Sequence, residues 1–312
     1  MTDLRTTPLR MAPDLRVRPW AGVRLAAADR HIGEAWLAGP ASRVAGGAGD
    51  GRTLDELAAA MGTDLVGSRG LIHGRGGFPV LVKLIDAAEW LSIQVHPNDA
   101  QALAIEGEPG IGKSESWLVL DAGADAAILL GPAADVSPKR VLAAIGTADL
   151  PDVLARVDVV PGDRIDVPAG TLHAIGPGVF VYEIQQPCDI TYRCWDWGRT
   201  DRTVHTDKSR LVTDAAARGR VDRSPHGQLT GVVASSPYFS ALQLLLGGDS
   251  QHRATDGRTP HVITMLEGTA ELVAGDSAVR LALHDTVVLP ASLGDYRLDA
   301  AGSARAVVAT VP

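Results

Sequence analysis

The stretch LSIQVHPNDA (91–100) alternates Leu91, Ile93 and Val95 with Ser92, Gln94 and His96, the period-2 pattern of a half-buried strand. An amide and an imidazole two residues apart on the polar face are odd choices for a face that meets only water. Two further groups able to hold an ion stand in strand-like contexts. Glu115 opens ESWLVLDA with Lys113 two residues before it. His173 ends GDRIDVPAGTLH, where a Gly/Pro turn reverses the chain and starts a new strand with the histidine. Two imidazoles, one carboxylate and one amide oxygen suit Zn²⁺, and Mn²⁺, Fe²⁺, Co²⁺ or Ni²⁺ less exclusively. Lys113 would aim a cation at the same space, and Glu183 in YEIQQ is a candidate general base. Taken singly, each residue has an ordinary reading as a hydrogen-bonded strand histidine, a surface amide or a solvated charge. The joint occurrence of QVHP and VPAGTLHAIG argues for a site.

The elements that must position these groups are mostly strands. FPVLVKLID (78–86), WLSIQVH (90–96), ESWLVLDA (115–122), DAAILLG (125–131), DRIDVPA (163–169) and GVFVYEIQQ (178–186) are short, aliphatic and bounded by Gly, Pro or Asp. Helical insertions are expected near 53–68, 98–107 and 137–156. The first opens on a Thr53/Glu56 capping box, the second at Asn98 or Asp99, and the third on Ser137 with Pro138 at its first position. Strands resume after Thr230, and RSPHGQ (223–228) reads as a linker. The chain therefore predicts a mainly β fold of two barrels: residues 1–225 carry the metal-binding set, and 226–312 form a smaller barrel.

Composition narrows the function. The chain has 312 residues, is 46% hydrophobic and 21% charged, and carries a net charge of −8. No basic block interleaved with aromatics suggests a nucleic-acid partner, and no apolar run approaches the ~20 residues of a membrane span. The N-terminus lacks the apolar core of a secretory signal, so the cytoplasm is the expected location. Cys188 and Cys194 have no CxxC spacing and read as reduced bystanders. Any anionic substrate needs a local basic cluster against the unfavourable overall field.

At this point the motifs carry a resemblance. GDRIDVPAGTLH matches the second cupin motif, G(X)5PXG(X)2H, at every fixed position. LVKLIDAAEWLSIQVHPND, GKSESW, VPAGTLHAIG and YEIQQPCDITYRCWDWGR are similar to type I mannose-6-phosphate isomerases, most of all to their short bacterial branch. The likeness runs over most of 15–225. It implies a cupin jelly-roll barrel holding one zinc ion per chain through Gln94, His96, Glu115 and His173. It further implies that Arg193 in TYRCWDW contacts substrate, and that Ser92 and Lys83 line the phosphate end of a phosphosugar pocket. Arg199 and Arg202 in WGRTDR could add charge there. The chain departs from the general cupin pattern in carrying QXH for HXH, as that family does, and Pro177 for the motif's closing Asn. HDTVVLPASLGDY near the C-terminus echoes the second motif, with His284 at the place of its first Gly, Pro290 for Pro168, Ser292 for Gly170 and Asp295 for His173. His252, His261 and His284 are read as non-ligands there.

Three functions fit these residues: a sugar-phosphate isomerase, a non-catalytic cupin that binds or senses sugar, and an iron dioxygenase. The glutamine ligand counts against the dioxygenase, which favours two His and one carboxylate. A pure binder has no need of Lys113, Glu183 and Arg193 beside a metal. The expectation is a zinc-dependent aldose–ketose isomerase interconverting mannose 6-phosphate and fructose 6-phosphate through an enediol, with another (phospho)sugar as the alternative substrate.

Overall fold

A computed structural model describes residues 3–26, 30–223 and 231–312. Among them are 23 strands and five α-helices, and the paired strands are antiparallel. The fold is mainly β, and among the described residues no helix is long and apolar enough to cross a membrane.

The chain divides into two compact units, and the division differs from a single cut near 225. One unit comprises Leu15–Ala35 and Leu84–Gly227. The other comprises Met1–Asp14, Trp36–Lys83 and Gln228–Pro312. The N-terminal strand and the first helical insertion thus belong with the C-terminal barrel. The reason is non-local pairing: Leu9 and Arg10 stand opposite Val288 and Val287. Apart from Arg223, the linker expected at 223–228 lies outside the described residues.

In the first unit a five-stranded sheet runs in the order Tyr192–Trp195, Ile93–Val95, His173–Ile175, Ala127–Pro132, Leu154–Asp158. A larger sheet contributes Arg164–Val167, Glu115–Ala122 and Val179–Gln185 as neighbours. Ile128, Leu130 and Ile175 of the first sheet share one apolar core with Trp117, Val119, Ile165, Val167, Val179 and Val181 of the second. The sheets therefore face each other as in a jelly roll. The other face of the five-stranded sheet packs Ile93, Val95, Leu129 and Ala174 against Val141 and Ala144 of helix Pro138–Ala144 and against Val212 of helix Thr206–Val212. Helix Pro138–Ala144 is shorter than the 137–156 insertion expected, since Leu154–Asp158 has joined the sheet. Asn98 caps helix Asp99–Glu106 through a reciprocal box with Gln101.

In the second unit the Thr53/Glu56 box starts helix Leu54–Met61 as expected. A second helix, Thr63–His73, runs past the anticipated end at 68. It breaks at Gly67, whose φ is +73°. An added Cβ there would meet the Arg258 carbonyl at 2.3 Å, and the amides of Ser68 and Arg69 donate to the carbonyls of Gly257 and Arg258. Tertiary contact, rather than local propensity, sets this kink.

The C-terminal echo of the second motif is visible in the turns. Gly162 has φ +94° and His284 has φ +66°. Gly162 N–H donates to Val119 O, and His284 N–H to Met265 O. Asp163 takes the amide of Val160 on its carboxylate, as Asp285 takes that of Ala282. A left-handed residue held by the same bonds explains why the family glycine could be replaced by histidine, one of the residues least penalised there. His261 is buried with Nδ1 2.8 Å from the Tyr296 hydroxyl, and His252 is exposed.

Candidate metal centre

Register puts the polar residues where their chemistry can converge. Gln94 pairs with His173 on one side and with Arg193 on the other, and His173 pairs with Leu130. Residues directly opposite in adjacent strands point the same way. Leu130 lies in the shared core, so Gln94, His173 and Arg193 also face inward. On the larger sheet Glu115 stands opposite Val167 and Gln185, and Trp117 opposite Ile165 and Glu183. Val167 and Ile165 are core residues, so Glu115 and Glu183 occupy the inner face one rung apart. His96 follows its strand by one residue, beyond Val95.

The side-chain geometry favours a cation. His96 Nδ1 lies 2.9 Å from Ile190 O, and His173 Nδ1 lies 2.8 Å from Thr171 O. A carbonyl can only accept, so both Nδ1 atoms carry hydrogen, and in a neutral ring the lone pair is then on Nε2. His173 Nε2 is 3.1 Å from Glu115 Oε1, which has no hydrogen-bond donor, and His96 Nε2 is 3.5 Å from Glu115 Oε2. The amide of Gln94 reaches to 3.2 Å from His173 Nε2, and a flip of that amide offers its oxygen. Ligand atoms bound tetrahedrally at about 2.1 Å stand roughly 3.4 Å apart, close to these separations. His96, Glu115 and His173 are buried, and their ligand atoms all lie within 4.8 Å of one another. Acceptors facing acceptors in a buried site are costly unless something positive lies between them.

Lys113 supplies part of that charge. Its Nζ is 2.7 Å from Glu115 Oε2 and 2.9 Å from His96 Nε2. Burial works against its ammonium form, but Glu115 and then Glu183 outweigh it and hold the pKa above the ordinary lysine value. Lys113 is thus a cation here, a donor rather than a base. Burial likewise pushes the Glu115 carboxyl up. The Lys113 ammonium is foremost in outweighing that push and holds it well below the usual carboxylate range. His96 is held well below the ordinary imidazole value by burial and by the Lys113 charge, so it is neutral and able to ligate at pH 7.

The remaining candidates are placed as follows. Glu183 is buried and accepts a hydrogen bond from Trp117 Nε1 at 2.9 Å. Arg193 shares the Gln94 rung, but its Nη1 donates to Thr203 O at 2.7 Å. Arg199 and Arg202 converge on the fully buried Asp196. Ser92 is buried ahead of the Gln94 strand. Lys83 is buried with its ammonium 4.6 Å from the Trp36 ring centroid, and it falls in the C-terminal unit. Asp196 escaped sequence reading although its spacing from Arg199 and Arg202, three and six residues, was a usable signal. Asp189, also missed, lies near enough for its charge to be felt at Lys113. Among the described residues neither Cys188 nor Cys194 forms a disulfide.

Comparison with known proteins bears on the chain as a whole. Residues 17–109 match the family model of the phosphomannose isomerase type I catalytic domain. The mannose-6-phosphate isomerase of Streptococcus mutans is 32% identical over 311 residues, covering 94% of this chain and 95% of that protein. The mannose-6-phosphate isomerase ManA of Bacillus subtilis is 32% identical over 319 residues, covering 95% and 97%. A crystal structure of the mannose 6-phosphate isomerase from Bacillus subtilis superposes with a TM-score of 0.82 at 29% identity, over 97% of this chain and 99% of that one. A phosphomannose isomerase from Salmonella typhimurium, at 16% identity and a TM-score of 0.73, shares the fold over 97% of this chain and 99% of its own. Full-length likeness at this level, over a fold whose inner face gathers those residues, means that the chain belongs to the type I mannose-6-phosphate isomerase family.

Proposed function

We propose that this protein interconverts mannose 6-phosphate and fructose 6-phosphate at one zinc ion held by Gln94, His96, Glu115 and His173. The observation that carries the reading is the buried convergence of His96, Glu115 and His173, with Glu115 Oε1 lacking a hydrogen-bond partner among the described residues, on the inner face of a barrel of this family. Bound zinc would stabilise negative charge developing on the substrate oxygens.

The chain's own groups divide the rest of the work. The two Nδ1–H···O=C bonds fix the imidazole tautomers and keep Nε2 available. Isomerisation moves a proton between C1 and C2 through an enediol, and Glu183 is the base we assign to that transfer. Its neighbour Trp117 orients the carboxylate by donating to Oε2. Lys113 and Arg193 offer N–H donors to oxygen that becomes negative in the transition state. Arg199, with Ser92, marks the phosphate end.

A coupled assay of mannose 6-phosphate conversion tests the reading. Turnover should be lost on prolonged chelation and regained with about one equivalent of Zn²⁺ per chain. Full turnover by metal-free protein would remove the metal from the mechanism, and absence of turnover with zinc present would remove the substrate.

A further inference from the structure

Asp196 is fully buried, yet it is surrounded by three guanidiniums. Arg199 donates Nε and Nη2 to its Oδ1 at 3.1 and 2.8 Å. Arg202 donates Nε to Oδ2 at 2.9 Å and Nη2 to Oδ1 at 2.6 Å. Arg193 Nε lies 3.8 Å from Oδ2, too far for a hydrogen bond. Asp196 is the buried carboxylate facing the three arginines; the other acids whose charge they meet, Glu89 at 3.5 Å from Arg199 and Asp201 near Arg193, are exposed.

The backbone is shaped to make this cluster. The Arg199 amide donates to Asp196 O at 2.9 Å, closing a turn whose central residues, Trp197 and Gly198, have φ of +55° and +82°. A tryptophan with positive φ is unfavourable and persists only where its surroundings impose it. Trp197 is pinned by its Nε1–H bond to Leu91 O at 2.7 Å and by its ring 5.3 Å from that of Trp90. Arg199 Nη2 also donates to Trp90 O at 2.8 Å. The turn folds Arg199 back over Asp196 and next to the segment that leads into the Gln94 strand.

Asp196 takes one edge of Arg199 and one of Arg202. Arg202 uses Nε and Nη2, so its Nη1 has no partner among the described residues. Arg193 spends Nη1 on Thr203 O and keeps Nη2 without one. Arg199 Nη1 faces only the exposed Glu89, at 3.5 Å. We infer that Asp196 is a positioning residue: it holds Arg199 and Arg202 by one edge so that their outer nitrogens form a rigid receptor for the phosphate of the substrate. Only a fork can bond the carboxylate and an outside oxyanion together. The inference rests on the proposed function, since it deepens the phosphate end of that same site.

The test exploits opposite signs. Asp196→Asn makes the cluster more positive, so if the residue acted only through its charge, phosphate would bind more tightly. A positioning role predicts the reverse. Full-length protein matched for metal content and melting temperature should show KM for mannose 6-phosphate and the competitive inhibition constant of orthophosphate both raised about tenfold or more, as befits loss of an aligned charge-assisted contact. The same variant should keep kcat within about fivefold. A merely structural defect would lower the active fraction, and hence kcat, while leaving both constants in place. An unchanged or smaller orthophosphate constant overturns the proposal. Should Asp196→Asn fail to fold, Arg202→Lys decides, because that side chain is 21% exposed and keeps its charge. Weaker orthophosphate inhibition supports the fork, and wild-type inhibition overturns it. A wild-type chain unable to turn over mannose 6-phosphate would instead sink the function beneath, and is told apart by that control.

Discussion

At the scale of single residues, the candidate centre separates groups that hold an ion from groups that meet the substrate. His96→Ala and His173→Ala each remove one Nε2 lone pair from a set whose atoms lie within 4.8 Å. Each should lower metal content in a dialysed sample to near zero, read by elemental analysis. Arg193→Ala removes no ligand. It should retain full metal and lose about 10²–10³-fold in kcat, the usual effect of deleting one preorganised donor. Retained metal in both histidine variants, or wild-type kcat in the arginine variant, would show those roles to be misplaced. In the C-terminal unit His261 gives a separate readout. Burial and the nearby Arg253 lower its pKa to about 4, so the folded state keeps it neutral. Below pH 6.5 the unfolded chain takes up the proton first. The neutral histidine's contribution, whole above pH 6.5, is thus lost as pH falls toward 4, to the extent of about 3 kcal/mol. His261→Gln should flatten the acid limb of the stability–pH curve over that interval, and an unchanged limb would assign the loss to other groups.

At the scale of elements, helix Thr63–His73 shows what a local code leaves out. Its kink at Gly67 exists because the chain must pass within contact of the Arg258 carbonyl. Gly67→Ala combines a positive φ with a Cβ 2.3 Å from backbone. It should cost about 3 kcal/mol, or on the order of 10 °C in melting temperature. A loss under one degree would mean that the helix can straighten. The same contrast explains what could be read in advance. Gln94, His96, Glu115 and His173 were legible because strand alternation and the Gly/Pro turn before His173 are local patterns that fix which way a side chain points. The Arg193 rung was not, because its bond to Thr203 and its approach to Asp196 depend on a turn with two left-handed residues, one of them a tryptophan. Nor was the early strand Leu9–Ala12, whose partner lies at the far end of the chain.

At the scale of the whole molecule, the two units are not two consecutive pieces. The C-terminal unit draws on three separate segments and the other on two. A fragment of residues 1–225, cut where the motifs end, therefore carries Leu9, Met11, Leu54, Leu57, Leu65 and Val66, all buried in the intact chain, without the C-terminal strands of their own unit. We expect that fragment to bind a hydrophobic dye and to melt without a cooperative transition, whereas the full chain melts cooperatively. A soluble, cooperatively melting fragment with full metal content would show that the early segments can do without the rest.

The pairing of the chain's first strand with one of its last also constrains how the protein is made. Arg10 meets Asp285, a partner 275 residues further on. At roughly 5–20 residues per second, the ribosome needs on the order of 15–55 seconds to deliver that partner. For that interval Leu9–Ala12 lacks its partner strand Thr286–Leu289, and the metal-binding unit, whose segments end at Gly227, is delivered before that strand. The nascent chain thus has a defined window for capture by chaperones or for pairing with a neighbour on the same message, and the window closes only when the last strands emerge.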